Sequence, residues 1–409
     1  MLMWKRWIAG ITLVAAAAMP ATARDSWVAS WASAQMVPQG DQVVPTLDFK
    51  NSTLRQLVRV SLGGRELRVR LSNAFGREPL TINGASVGVA VDPASPKLRP
   101  GTSRPLRFGG ATAITIPAGA EFVSDPVALP VAALTTLAVS IHFRDHPSVV
   151  TSHPGSRATS YIGKGDQLAS VDFSSAATVD HWYQLTGVDV LATSRGAAIA
   201  LLGDSITDGF GVKPNTNARW SDTLIRRLQA SPRTRHLSVL NLGIGGNRIL
   251  LDGLGPNAVA RFERDVLMRD GVKYLLILEG VNDLGTLTRD APVSAEEHRA
   301  FVRRLLTGYA QIVARARDKG IKVIGATILP YGASAYYHPT AANEADRQAI
   351  NAWIRAQGNV DAVVDFDAVT RDPARPERMR KELDSGDGLH PSLDGYRLMG
   401  EAVPLSLFR

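Results

Sequence analysis

Five short apolar runs separated by helical patterns decide the fold class of the second half of this 409-residue chain. They lie at residues 199–202, 238–242, 274–278, 322–327 and 362–365. The run Tyr274-Leu275-Leu276-Ile277-Leu278 shows no polar alternation. A strand covered on both faces has that pattern, and parallel sheets are covered in that way. Between the runs the period is helical, most clearly from Ser294 to Lys319. Ser294 and Glu297 read as a capping box and Gly320 as the stop. Val302, Leu305, Leu306, Tyr309, Val313 and Ala316 form one apolar face. Further helices are expected near residues 220–230, 343–357 and 392–403. This alternation predicts an α/β fold, five parallel strands with helices on both sides.

Residues 27–189 have a different rhythm, with period two and frequent turn signals. Leu67-Arg68-Val69-Arg70-Leu71 alternates strictly, and residues 57–62 alternate in part. Gly63-Gly64 between them reads as a hairpin connection. More strands are expected at 85–91, 113–116 and 137–143, with Pro93, Pro96, Pro100 and Pro105 punctuating a loop. Such spacing predicts a β-sandwich or jelly-roll-like domain over residues 24–194. The α/β domain then spans 195–409. The boundary at Thr193-Ser194-Arg195 is short, so the two should be closely docked. Trp27, Trp31 and Trp182 suit either a sugar-stacking platform or core packing. No catalytic constellation is visible in this half.

Residues 1–23 have the form of a secretory signal: Lys5 and Arg6, an apolar core from Trp7 to Ala18, then Ala21-Thr22-Ala23. Export to the periplasm or the extracellular medium is the expectation, with no stable membrane anchor after cleavage. No later run reaches the roughly 20 apolar residues of a membrane span. The chain has no Cys, which excludes thiolate chemistry and disulfide staples. Its formal charge of +8 comes from scattered basic residues. The cluster Arg375, Arg378, Arg380 and Lys381 is interrupted by Glu377 and Glu382. Without interleaved aromatic residues it does not read as a nucleic-acid platform.

The chemistry concentrates where the first apolar run ends, at Gly203-Asp204-Ser205-Ile206-Thr207-Asp208-Gly209. A strand ending abruptly at Ser presents a hydroxyl at the edge where open α/β sheets bind ligands. A Ser hydroxyl is a weak nucleophile at neutral pH and needs a base, an orienter and oxyanion donors. His390 comes after the fifth run in Asp387-Gly388-Leu389-His390-Pro391 and can take and return the Ser205 proton. Asp387, three residues earlier, can reach its Nδ1; Asp384 is the rival acid. As alternatives, Ser205 is a helix cap, or Asp387, His390 and Asp204 hold a divalent ion. One His with carboxylates is a poor zinc set.

These blocks resemble the SGNH hydrolases, the GDSL-type esterases and lipases. The likeness rests on Gly203-Asp204-Ser205-Ile206-Thr207, Gly246, Gly280-Val281-Asn282-Asp283 and Asp387-Gly388-Leu389-His390, in that order. Trp27-Val28-Ala29-Ser30-Trp31-Ala32 looks like a two-domain bacterial branch with a β-rich N-terminal part. The resemblance implies a flavodoxin-like five-stranded parallel sheet and a Ser205-His390-Asp387 triad. It also implies an oxyanion hole from the Ser205 and Gly246 N–H groups and the Asn282 amide. Asp204 and Asn247 are candidate substrate contacts, as are Tyr336 and His338 in the loop after the fourth run. No cofactor is implied. The expected function is an exported serine ester hydrolase of short acyl groups, acetyl above all, on a plant polysaccharide or another carbohydrate ester. An acyltransferase with the same triad, a long-chain lipid esterase and a glycan-binding protein with a vestigial triad are the alternatives.

Overall fold

The computed structural model describes residues 25–192 and 195–408. The expected leader, 1–23, and Thr193-Ser194 of the expected boundary lie outside the described residues. Parallel strands occupy Ala197–Gly203, Leu237–Gly243, Val272–Leu278, Lys322–Ala326 and Ala362–Val364. In the sheet they run in the order second, first, third, fourth, fifth, every pairing parallel. This is the flavodoxin-like order, and its reversal beside the first strand leaves a crevice at the C-terminal strand ends. Gly203-Asp204-Ser205 leaves the sheet there.

The helices Trp220–Ala230, Ala295–Asp318, Ala341–Arg355 and Leu393–Ala402 complete the alternation. Ser294 Oγ accepts the Glu297 N–H and Glu297 Oε2 accepts the Ser294 N–H, so the capping box forms as expected. The buried face of that helix centres on Phe301, Leu305, Tyr309, Ile312, Val313 and Ala316. Val302 and Leu306 fall at its half-buried margin. Among the described residues no helix is long and apolar enough to cross a membrane.

The N-terminal half builds two principal antiparallel sheets, one of four strands and one of six. The expected hairpin at Gly63-Gly64 is not there. Ser52–Arg59 pairs with Thr136–Phe143 and Ser160–Lys164, whereas Leu67–Ser72 pairs with Leu185–Ala192 and Glu121–Val123. The two glycines carry the chain from one sheet to the other. They pass so close to another segment that a Cβ on Gly63 would lie 2.5 Å from the Val131 carbonyl oxygen. A glycine pair thus marks close backbone approach here rather than a two-residue turn.

Both halves share one contiguous apolar core. Strand Ser26–Ala32 lies along Leu237–Gly243, the edge of the parallel sheet. Ser238 Oγ donates to the Ala29 carbonyl at 2.6 Å, and the Val239 N–H donates to Ser61 Oγ at 2.9 Å. An edge strand left open would invite pairing with another chain, and this contact covers it. Arg68 and Arg70, on the face opposite Leu67, Val69 and Leu71, reach across to Asp270 at 2.7 Å each, and both also pair with Asp189. Trp31 and Trp182 are buried and meet edge to face with centroids 4.9 Å apart, while Arg68 covers the Trp27 ring. The tryptophans pack; they form no open platform.

Candidate active site

Strand Ala197–Gly203 gives way at once to a short helix, Ser205–Asp208, whose first N–H groups need an acceptor. Asp204, between the two, has extended backbone and supplies it: its Oδ1 accepts the Ile206 N–H at 2.9 Å. Since Asp204 is the cap, the Ser205 hydroxyl is free for another partner. It lies 2.8 Å from His390 Nε2. His390 Nδ1 in turn lies 2.6 Å from Asp387 Oδ2. The other oxygen, Asp387 Oδ1, accepts the N–H groups of Leu389 and His390 at 2.9 and 2.8 Å and the Ser385 hydroxyl at 3.1 Å. Partial burial opposes charge on Asp387, but the His390 side chain and these N–H groups hold its carboxyl well below the ordinary carboxylate value. Asp384 faces elsewhere: its Oδ1 accepts the Gly386 and Gly388 N–H groups and shapes the turn.

Gly246 lies beyond the second parallel strand with φ 74°, and a Cβ there would lie 2.6 Å from Leu254 Cδ1. Only glycine fits that backbone without strain. Neither the Ser205 nor the Gly246 N–H has an acceptor among the described residues. Asn282 opens the helix Val281–Thr288 after the third strand. Its Oδ1 accepts the Tyr337 hydroxyl at 2.7 Å, and its Nδ2 donates to the Asn247 carbonyl at 2.8 Å. Tyr337 thereby fixes which end of the amide is the donor, and one N–H of Nδ2 stays unengaged. Ser205, Gly246, Asn282, Asp387 and His390 all line one cleft of about 1010 Å³.

Much of that cleft was not foreseen from sequence. Met36, Gln39, His153 and Arg157 of the N-terminal half form part of its wall. His153 Nε2 lies 3.0 Å from Asp208 Oδ1, both buried, and fastens the two halves beside Ser205. Burial resists charge on Asp208, yet His153 and the nearby arginines keep its carboxyl below the ordinary value. Burial, with His153 adding to it, pushes the His181 imidazole in the same wall down to about 4. Phe210 stacks on the His390 ring with centroids 4.1 Å apart and is 46 % exposed. No signal short of the folded topology joins His153 to Asp208, 55 positions apart. Tyr336 does line the cleft; Asp204, Asn247 and His338 do not. Asp204 is the buried cap. Asn247 is buried and holds Arg261 and the Pro256 carbonyl. His338 sits exposed outside the cleft on left-handed backbone at φ 48°.

Beneath the cleft floor, three carboxyl groups share buried space. Burial, reinforced by Asp283, pushes Asp204 up to about 7 against the Ile206 N–H bond. Burial pushes Asp283 up to about 6 although the Ile249 and Leu250 N–H groups favour its charge. Glu279 is raised well above its ordinary value, again by burial first. Arg261 stands among them. It donates to the Gly203 and Leu242 carbonyls, to Asn247 Oδ1 and to Asp265, and approaches Glu279. One cation thus ties the ends of adjacent strands to the Gly246-Asn247 loop. Among the described residues no group of three or more His, Cys, Asp or Glu side chains is arranged to hold a metal ion.

Residues 201–398 match the GDSL-like Lipase/Acylhydrolase family. No curated protein matches the chain by sequence. Among solved structures, an acetyl xylan esterase is 20 % identical and aligns over 52 % of this chain and 100 % of its own, with a TM-score of 0.40. An acetylxylan esterase from Geobacillus stearothermophilus, solved as a catalytic mutant, is 22 % identical over 51 % of this chain and 93 % of its own, TM-score 0.38. A GDSL-like lipase from Bacteroides thetaiotaomicron VPI-5482 is 20 % identical over 51 % and 87 %, TM-score 0.38.

Proposed function

We propose, for a chain whose residues 201–398 form a domain of the GDSL-like lipase/acylhydrolase family, that it is a serine ester hydrolase acting through an acyl-enzyme. The observation that carries this reading is the unbroken relay from Ser205 Oγ to His390 Nε2 and from His390 Nδ1 to Asp387. Ser205 Oγ attacks the ester carbonyl carbon as His390 Nε2 takes its proton. The carbonyl oxygen becomes an oxyanion, facing the Ser205 and Gly246 N–H groups and the unengaged Asn282 N–H. The C–O bond to the alcohol breaks, and His390 returns the proton to that oxygen. Water, deprotonated by the same imidazole, then attacks the acyl-Ser205 ester, releasing the carboxylic acid and restoring the hydroxyl. Asp387 keeps the proton of His390 on Nδ1 and stabilises the imidazolium.

Asn282→Ala is expected to lower kcat by about 10²–10³, the usual loss for one oxyanion donor. KM should change little, because the bond matures in the transition state. Steady-state kinetics on 4-nitrophenyl acetate read this directly, and an unchanged kcat removes Asn282 from the mechanism.

The acyl group is short and the alcohol is a carbohydrate. The cleft contains the apolar side chains Met36, Phe210, Ile244, Leu254 and Leu389. Gln39, Asp41, Arg157 and Arg248 line it as well, and this mixed lining favours a short acyl group over a long tail. Each buried methylene contributes about 0.8 kcal/mol in a site built for chains, and here that gain should stop early. Measured kcat/KM over acetate to palmitate esters should peak between acetyl and butyryl, with acetate released from acetylated xylan. A maximum at eight carbons or longer without acetate release overturns the short-acyl reading. The leader-like residues 1–23 favour an exported enzyme, which fits a polysaccharide too large to enter a cell.

A further inference from the structure

The N-terminal half reaches the chemistry through one buried pair, His153 and Asp208, whose side chains are each 4 % exposed. His153 Nδ1 lies 2.7 Å from the Ala34 carbonyl oxygen, and Nε2 lies 3.0 Å from Asp208 Oδ1. A main-chain carbonyl only accepts, so Nδ1 carries a proton. Asp208 is ionised: burial opposes its charge, but His153, then Arg157 and Arg219, hold its carboxyl below the ordinary value. Nε2 therefore donates as well, and a ring that donates from both nitrogens is the imidazolium. The Trp182 indole stacks on it with centroids 5.6 Å apart at 27°, a face that suits a cation. His181, the other imidazole of this wall, stays neutral near neutral pH, since burial first and His153 second push it down to about 4.

Asp208 occupies a place where an uncancelled carboxylate would slow the reaction. It is the last residue of the single turn that Ser205 begins, and it lines the cleft. Its Oδ2 sits between two glycines. A Cβ on Gly155 of the N-terminal half would overlap that oxygen, and a Cβ on Gly245 would lie 3.9 Å from it. Gly245 forms the peptide whose N–H belongs to Gly246, one of the donors that face the oxyanion. Negative charge beside that peptide opposes the charge developing on the substrate carbonyl oxygen, and opposes it most in the transition state. Arg219 does not take the place of His153, because its Nε donates to the Asp208 main-chain carbonyl at 2.8 Å. Among the described residues, His153 is the cation that hydrogen-bonds the Asp208 carboxylate.

We propose that His153 is a positioning residue for the ester cleavage, contributed by the N-terminal half and acting through Asp208. It cancels the Asp208 charge beside the oxyanion donors and ties its own half to the turn that bears Ser205. Imidazolium and carboxylate together bring no net charge to the cleft, whereas the carboxylate alone would. The half that carries no catalytic motif thereby sets the electrostatics in which the oxyanion forms. The proposal rests on the ester-hydrolase reading and assigns a further residue to that reaction.

The test is steady-state kinetics of the full chain on 4-nitrophenyl acetate. His153→Gln should lower kcat by about 10–10² with KM nearly unchanged, because the bare Asp208 charge is felt chiefly as the oxyanion forms. Adding Asp208→Asn to it should recover most of that loss, since the pair is then neutral again. A role confined to fastening predicts no such recovery. Asp208→Asn alone should cost less than His153→Gln, and it keeps the test available should His153→Gln not fold. Asp270→Asn weakens the contact between the halves at the other end of the parallel strands and should leave kcat as it is. The proposal is overturned, with the hydrolase reading intact, if His153→Gln keeps its kcat or changes KM alone. It is equally overturned if the double variant does not recover, or if Asp208→Asn or Asp270→Asn alone loses as much as His153→Gln. Failure of the wild type to cleave 4-nitrophenyl acetate overturns the hydrolase reading and this proposal with it.

Discussion

Ser205→Ala is expected to reduce kcat for 4-nitrophenyl acetate by about 10⁶, to the level left by oxyanion donors and binding alone. The change removes one oxygen. Asp204, which caps the helix, is untouched, so the fold should survive. His390 keeps Asp387 and its stacking on Phe210 but has no hydroxyl to deprotonate. A fluorophosphonate probe, which esterifies an activated serine, should label the wild type at Ser205 and leave the variant unlabelled. Circular dichroism and thermal melting should match the wild type. Labelling at another residue, with activity retained, overturns the assignment of Ser205.

Asp387→Asn should lower kcat by roughly 10⁴, and Asp384→Asn by less than about tenfold, because the two amides would be oriented differently. Asp387 Oδ1 accepts the Leu389 and His390 N–H groups and the Ser385 hydroxyl. An Asn there must keep its oxygen on that side, which turns its NH₂ toward His390 Nδ1. Two donors cannot face each other, so the imidazole proton moves to Nε2, and the atom that should take the Ser205 proton is already occupied. Asp384 only accepts from Gly386 and Gly388, a task an amide oxygen performs equally well. Kinetics of the two variants side by side decide the matter; the reverse ranking moves the acid to Asp384.

The sequence was most legible where one local rule suffices. Non-alternating apolar runs set the parallel strands, Ser294 and Glu297 announced a helix start that forms as expected, and Asp387 stands three positions before the imidazole it meets. It was misleading where a local signal has two physical causes. Gly63-Gly64 suits a tight turn and a close backbone approach equally, and only the partner strands Thr136–Phe143 and Leu185–Ala192 decide between them. Asp204 and Asn247 flank the chemistry in sequence, yet backbone direction turns Asp204 into a cap and Asn247 onto Arg261.

By itself, then, the order of residues determined the α/β class, the β-rich half before it, and the identity of the nucleophile, base and acid candidates. Those depend on periodicity and on blocks placed at strand ends, properties that survive without knowing any distant contact. Only the tertiary structure decided what surrounds the serine. The wall with Met36, His153 and Arg157 comes from a half that carries no catalytic motif. Tyr337 orients Asn282 from a loop 55 positions away. Arg261 gathers Gly203, Leu242 and Asn247 from three separate segments. Such contacts have no sequence period. They are set by which sheet edge the first strand covers, and that choice is made by burial over the whole chain.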